Sequence, residues 1–185
     1  AYACMVTVLG VWAGPYLHDV YGLDAVTRGN VLFGMGIAQV IGALTFGPLD
    51  RVFGTRKKIV IAGATTSIAI YVTLAVLSKP PLALAVALLV AIPFLSSYAI
   101  MIVAQGRALF SDRIAGRGVT TVNMAQVFGA TALPALSGIL VGSYAGGAGA
   151  AAPEAAYRAV FALLAACSFA GLMVYLRSKD SRPQG

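Results

Sequence analysis

Six long apolar stretches, separated by short polar or glycine-rich segments, constrain what this chain can fold into. They cover approximately residues 1–17, 29–49, 59–77, 82–104, 118–144 and 155–176. A helix needs about 20 apolar residues to cross the hydrocarbon core of a bilayer. Strands of membrane barrels are shorter and alternate in polarity, which these stretches do not. The sequence therefore predicts an all-α integral membrane protein in which residues 1–185 form one domain of six transmembrane helices.

The composition supports this assignment and argues against a soluble domain. Apolar residues make up 59% of the chain and charged residues only 10%, whereas globular proteins carry about a quarter charged residues. The net charge of +7 would suit a nucleic acid, but the basic residues occur in short clusters between apolar stretches. That placement is typical of topology signals. We therefore expect a lipid bilayer as partner and no nucleic acid.

The distribution of basic residues predicts the orientation of the helices. If connections alternate between the two sides, ten Lys and Arg residues fall on one side: Arg51, Arg56, Lys57, Lys58, Arg107, Arg113, Arg117, Arg177, Lys179 and Arg182. The other side holds three: Arg28, Lys79 and Arg158. Basic residues concentrate in cytoplasmic loops. We therefore expect both ends of the chain on the cytoplasmic side of a plasma membrane, the inner membrane in a bacterium.

The connection between the second and third stretches, residues 47–58, has the most distinctive sequence, Gly-Pro-Leu-Asp-Arg-Val-Phe-Gly-Thr-Arg-Lys-Lys. Glycines permit a tight turn, and basic side chains can bind anionic headgroups. A plain cytoplasmic loop would explain the cations. It would not explain the adjacent Asp50 and Arg51 between the two glycines, Gly47 and Gly54.

In this 47–58 loop the sequence resembles the major facilitator superfamily of transporters, in which Gly, Asp-Arg, Gly and basic residues join the second and third helices. The spacing differs by one residue on each side of Asp50-Arg51, as in the weaker copy of the second half. The resemblance extends to residues 10–17 with the following Tyr-Gly-Leu turn, which resemble a first helix. Residues 117–123 resemble the start of a fifth helix.

The resemblance implies a bundle of two six-helix halves around a central cavity, of which this chain is one. Because the loop is the weaker kind and the chain opens without an initiator Met, we expect the second half, with a missing N-terminal six-helix half as its partner. The implied function is secondary active transport of a small solute by alternating access. The 47–58 loop would then close the cytoplasmic face in one state, through Gly47, Asp50, Arg51, Gly54, Arg56 and Lys57.

Polar side chains inside the apolar stretches are the candidates for a solute-binding wall, because polar groups are costly in lipid and usually face the bundle interior or a cavity. From these we select Gln39, Tyr98, Asn123 and Gln126. Asn123 and Gln126, three residues apart, share a helix face. The alternative is that such amides only bond to a neighbouring helix. Ser67 is expected to bond to its own backbone one turn earlier.

Small residues are expected to allow close contact between helices rather than to bind ligands. They are Gly34, Gly36 and Gly42 in the second stretch and Gly138 with Gly142 in the fifth. Pro134 is expected to bend the fifth helix.

Other functional classes lack the necessary residues. No acidic or basic residue lies deep inside a stretch, so we expect no proton relay in this chain. One histidine and two distant cysteines provide neither a metal cluster nor a catalytic centre. We therefore predict no enzyme activity, no cofactor and no metal.

A non-transporting sensor or assembly module on the same fold remains the alternative. The substrate stays open, although the first and fifth helices resemble the nitrate and nitrite porters most.

Overall fold

The computed structural model describes residues 2–49, 53–103, 115–144 and 152–177. Within these ranges the regular structure consists of helices. Six long ones follow in order: α1 (Tyr2–Tyr21), α2 (Ala25–Phe46), α3 (Arg56–Val76), α4 (Leu82–Ser96), α5 (Ala115–Tyr144) and α6 (Glu154–Leu176). The all-α architecture predicted from the apolar stretches is thus observed.

Among the residues that the structure describes, five spans are long and apolar enough to cross a membrane. They are α2, α3, the residues from Leu82 to Val103, the residues from Gln126 to Tyr144, and α6. Helix α1, with 20 residues, completes the bundle. The prediction of a membrane protein built from apolar helices is confirmed in these spans.

Helix α1 extends beyond its apolar stretch, which we expected to end near Leu17. It continues to Tyr21, so that His18 and Asp19 are helical, and ends at Gly22, which adopts a φ of +69°. Glycine favours this left-handed conformation because it has no Cβ. Asp24 then caps α2 by accepting a 2.9 Å hydrogen bond from the backbone N–H of Thr27. Hydrogen bonds from Thr27 hold the pKa of Asp24 below its usual value.

The sequence predicted one continuous helix over the fourth apolar stretch, but the structure shows two helical segments there. Helix α4 ends at Ser96, and residues 99–103 form a second helical stretch after a turn at Ser97 and Tyr98. In this turn the backbone N–H groups donate three residues back, from Ser97 to Phe94 and from Tyr98 to Leu95. Pro93, inside α4, has no N–H to donate and thereby weakens the preceding turn.

Helix α1 lies at the centre of the bundle. It contacts α2, α4, α5 and α6, while α3 packs between α4 and α6. The main core contains large side chains that are almost completely buried, among them Leu9, Tyr16, Leu17, Tyr71, Leu74, Leu89, Ile92, Tyr157 and Leu164. Three helix pairs have the most extensive contacts: α3 with α6, α2 with α4, and α1 with α5.

The bundle has two ends that are distinguished by their contacts. At the loop end, the first turn of α3 contacts the C-terminus of α6. At the opposite end, here called the distal end, the C-termini of α1 and α3 meet the N-termini of α4 and α6. The 47–58 loop is therefore at the opposite end of the bundle from the turn between α3 and α4.

Only part of the predicted glycine packing is observed. At Gly42 a Cβ would lie 2.6 Å from Ser97 Oγ and closer still to the carbonyl of Phe94, so α2 and α4 approach there as closely as backbones allow. The prediction was wrong within this chain for Gly34, Gly36, Gly138 and Gly142, where a Cβ would meet nothing within 4 Å. Gly63, which we did not single out, lies directly under the ring of Tyr98.

Candidate functional site

The 47–58 loop is built from a helix end, a tight bend and a helix start. Gly47 ends α2, and its N–H donates to the carbonyl of Ala43 at 3.1 Å. Gly54 has a φ of +61°, a conformation that glycine adopts without strain. Thr55 then caps α3 by accepting from the N–H of Lys58 at 3.5 Å. The two glycines and the cap together set where α3 begins.

The predicted loop residues fall into two groups. Asp50 and Arg51 lie outside the described residues. Arg56 is the first residue of α3, and the ammonium group of Lys57 donates to the carbonyl of Leu176 at 2.9 Å. Carbonyls at a helix C-terminus have no helical donor, and a cation there is favourable to the helix dipole. Lys57 therefore joins the 47–58 loop to the end of α6, a role that the sequence did not indicate.

The four residues predicted to form a polar wall lie on three helical segments. Gln39 is exposed on α2. Tyr98 is half-buried in the turn after α4, with its ring against Gly63. On α5, Gln126 is half-buried, whereas the side chain of Asn123 lies outside the described residues. The shared wall therefore stays a prediction.

Hydroxyl groups of the apolar stretches bond mainly to their own helices. Ser67 donates to the carbonyl of Gly63 at 2.9 Å, as predicted, and Thr131 donates to that of Val127 at 2.9 Å. Ser97 reaches another helix as well, with its Oγ 3.3 Å from the carbonyl of Gln39. This contact lies beside Gly42, so the α2–α4 contact holds the backbone of Gln39 against α4.

An apolar groove of about 720 Å³ follows the exposed face of α5. It is lined by Thr120, Met124, Val127, Phe128, Thr131, Ala132 and Ala135. Drug-sized ligand pockets have comparable volumes and mostly apolar linings. Selecting polar side chains inside the apolar stretches could not identify this groove, because its lining is almost entirely apolar. In a sequence, such side chains cannot be distinguished from those that face lipid.

At the distal end, the first turn of α6 holds the turn between α3 and α4. Arg158 donates to the carbonyls of Ala75 at 2.7 Å and Val76 at 3.0 Å, and to Ser78 Oγ at 3.0 Å. The carboxylate of Glu154 accepts from the backbone N–H of Lys79. Arg158, which the sequence analysis only counted among the basic residues of this side, thus supplies donors to the C-terminal carbonyls of α3.

Asp19 joins the first turn of α6 to α1. Its carboxylate accepts from the hydroxyl of Tyr157 and, at 3.2 Å, from the N–H of Ala152. His18 Nδ1 lies 2.8 Å from its other oxygen, while the His18 side chain is 56% exposed. Tyr21 also donates to the carbonyl of Pro80 at 2.6 Å. We call Asp19, Tyr21, Glu154, Tyr157 and Arg158 the distal cluster. It joins α1, α3, α4 and α6.

Aromatic rings extend the distal cluster into the core. The ring of Tyr16 makes edge contacts with Tyr21, Tyr157 and Phe161, at centroid distances of 5.6, 5.5 and 5.4 Å. Such contacts add to the gain from burial. One turn away, the indole N–H of Trp12 donates to Ser137 Oγ at 2.7 Å and joins α5 to α1.

The described residues provide no metal centre, since no three His, Cys, Asp or Glu side chains among them come together. The arrangement consists of a loop with basic residues at one end, an apolar groove and scattered amides at membrane depth, and a hydrogen-bonded cluster at the other end. It offers a small molecule apolar surface and a few hydrogen-bonding groups.

Comparison with known proteins gives one finding at the level of the family. A family model described as Major Facilitator Superfamily matches residues 1–185. No curated protein and no solved structure matches the chain.

Proposed function

The chain belongs to the major facilitator superfamily, whose members are transporters, and we propose that it forms the second six-helix half of a secondary active transporter. The family match over residues 1–185 carries this proposal. Six helices are half of the architecture that the resemblance implies, so the partner would be an N-terminal six-helix half. The solute is small, and the two halves rock around it to open on alternate sides of the membrane.

The 47–58 loop is the part of the chain that we assign to gating, with Gly47, Asp50, Arg51, Gly54, Arg56 and Lys57 as its residues. Its bends at Gly47 and Gly54 and the contact from Lys57 to Leu176 support this role, because they hold the loop in place between α2, α3 and α6. Asp50 would accept hydrogen bonds from the missing half in the state that is closed to the cytoplasm.

Replacing Asp50 tests the gating role. We expect Asp50→Asn in the full-length protein, reconstituted in vesicles, to reduce uptake at least tenfold while membrane insertion is unchanged. Nitrate and nitrite are the first probes, because the first and fifth helices resemble their porters. Asp24→Asn is the matched control, since Asn caps α2 as well as Asp does. Equal uptake by Asp50→Asn and wild type would exclude the gating role, and uptake of no offered solute would favour a sensor or assembly module.

Orientation is proposed from the charge bias: the loop end is cytoplasmic and the distal end faces outward. Val26 and Phe53 are 71% and 64% exposed at the two ends and provide a matched pair. With Cys4 and Cys167 replaced by Ala, we expect Val26→Cys to react with an impermeant thiol reagent in intact cells. Phe53→Cys should react only after permeabilisation. The reverse pattern would overturn the orientation and leave the fold untouched.

The solute-binding wall is proposed to include Gln39, Tyr98, Asn123 and Gln126. The apolar groove on α5 extends this wall, because it lies on the same helix as the two amides. A solute bound there would contact polar groups at few positions and apolar surface elsewhere, as small-molecule sites commonly do.

A further inference from the structure

Tyr71, five residues before the end of α3, has an unusual environment. Its side chain is buried, and among the described residues its hydroxyl is the one buried side-chain polar atom without a hydrogen-bond partner. An unpaired hydroxyl in an apolar interior is unfavourable, because it has lost its hydrogen bonds to water. Native proteins seldom keep such a group without a reason.

A second polar group on the neighbouring helix also lacks its regular partner. In an α-helix the carbonyl of Leu89 would accept from the N–H of the residue four positions later. That residue is Pro93, which has no N–H. Leu89 is fully buried, so bulk water does not reach this carbonyl.

The two groups lie at similar depth in adjacent helices. Tyr71 precedes the end of α3 at Val76 by five residues, and Leu89 follows the start of α4 at Leu82 by seven. At 1.5 Å per residue these positions are about 7.5 and 10.5 Å from the shared turn. Helical side chains incline toward the N-terminus, so the Tyr71 phenol extends away from that turn and closes the difference. Both residues belong to the same core cluster.

We propose that one buried water molecule joins the hydroxyl of Tyr71 to the carbonyl of Leu89. Ser67 provides a third contact: it lies one turn before Tyr71 on the same face, is buried, and has a lone pair left after donating to Gly63. Two to four polar partners are what a buried water needs. The water site satisfies the carbonyl that Pro93 leaves without a donor and joins α3 to α4 about two helical turns before the turn at Ser97.

The proposal is tested by a double-mutant cycle on the thermal unfolding of the full-length protein in detergent. Tyr71→Phe should lower the Tm by several degrees, because the water loses its anchor and the Leu89 carbonyl becomes unpaired. Pro93→Ala restores a helical donor to that carbonyl, so in this background Tyr71→Phe should leave the Tm unchanged or raise it. An equal shift in both backgrounds, or a raised Tm for the single variant, would overturn the water site.

Tyr16→Phe is the matched control, because Tyr16 is also a buried tyrosine but its hydroxyl bonds to Tyr21. Its effect on the Tm should be the same in both backgrounds. If Pro93→Ala does not yield folded protein, an experimental map that resolves waters decides the question. The expected result is a water oxygen within about 3.2 Å of both Tyr71 Oη and the Leu89 carbonyl oxygen. A well-resolved site without it would disprove the proposal.

Discussion

Helices α2 and α5 are held differently from the other four. The distal cluster joins α1, α3, α4 and α6 through hydrogen bonds to helix ends and to the turn between α3 and α4. Helices α2 and α5 lie outside this cluster and carry the longest rows of exposed apolar side chains: Phe33, Ile37, Val40, Ile41 and Leu44 on α2, and Met124, Val127, Phe128, Leu136 and Ile139 on α5.

The helices of this bundle are held in two ways, by hydrogen bonds at helix ends and by close packing between helices. In the four-helix group, Arg158, Glu154 and Tyr21 form hydrogen bonds with the end of α3 and with the turn that follows it, so this end of the bundle is held by polar contacts within the chain. Helix α2 depends on the close contact at Gly42, and α5 on its packing against α1. The outward faces of α2 and α5 require lipid, another protein surface or, along the groove on α5, the proposed solute, because water would not cover such large apolar patches.

Apart from truncation of a fully buried core side chain, the largest effect is expected where α2 meets α4. Gly42→Ala places a methyl group against the Phe94 carbonyl and Ser97 Oγ, so the two backbones must move apart. Overpacking of this kind costs about 1–3 kcal/mol, and we expect the upper end because one contact is backbone. Thermal unfolding in detergent measures the loss. Gly36→Ala, on the same helix with nothing within 4 Å, should be neutral or slightly stabilising. If the two variants unfold alike, α2 is not held at Gly42.

A smaller loss is expected when the distal cluster is broken. Arg158→Gln removes the donors to the carbonyls of Ala75 and Val76, and we expect about 1–2 kcal/mol less stability. Arg28→Gln is the control of equal charge change at the same end, because Arg28 bonds within its own helix start, to the carbonyl of Asp24, and to no other helix among the described residues. Chemical unfolding of the two variants measures the difference. Equal stabilities would show that the bonds from Arg158 add nothing to the four-helix group.

The smallest effect is expected on the exposed face of α2. Leu44 is 74% exposed and Leu89 is 0% exposed. Leu89→Ala should cost about 2–5 kcal/mol, whereas Leu44→Ala in the 185-residue chain should cost less than about 0.5 kcal/mol. Repeating both in the presence of the proposed N-terminal half shows whether another surface covers α2. A cost for Leu44→Ala that grows there would indicate a protein partner on this face, and an unchanged cost would indicate lipid.

The sequence was most informative where length and polarity decide the structure. Apolar stretches of membrane-spanning length predicted an all-helical membrane fold, because a backbone in lipid must satisfy its own hydrogen bonds. The 47–58 loop indicated the family. The self-bonding of Ser67 also followed from local chemistry, since a serine in a helix can reach the carbonyl four residues earlier.

The sequence was least informative about contacts between distant residues. Of the glycines named for packing, only Gly42 meets a neighbouring backbone within this chain. The close contact between Gly63 and the ring of Tyr98 was not predicted. The hydrogen bonds from Arg158 to Ala75 and from Lys57 to Leu176 also went unpredicted. A local pattern shows that a residue is small or charged, but not which helix lies beside it.

By itself the sequence determined that this protein is a set of apolar helices in a membrane and that it carries the loop of its family, because these properties depend on neighbours along the chain. The tertiary structure alone decided which helices are joined. It brought Asp19 to Tyr157 across 138 positions of sequence and placed Tyr71 in one core cluster with Leu89, four residues before Pro93. Such pairings result from how six helices pack together, and that packing depends on the shape of the whole bundle.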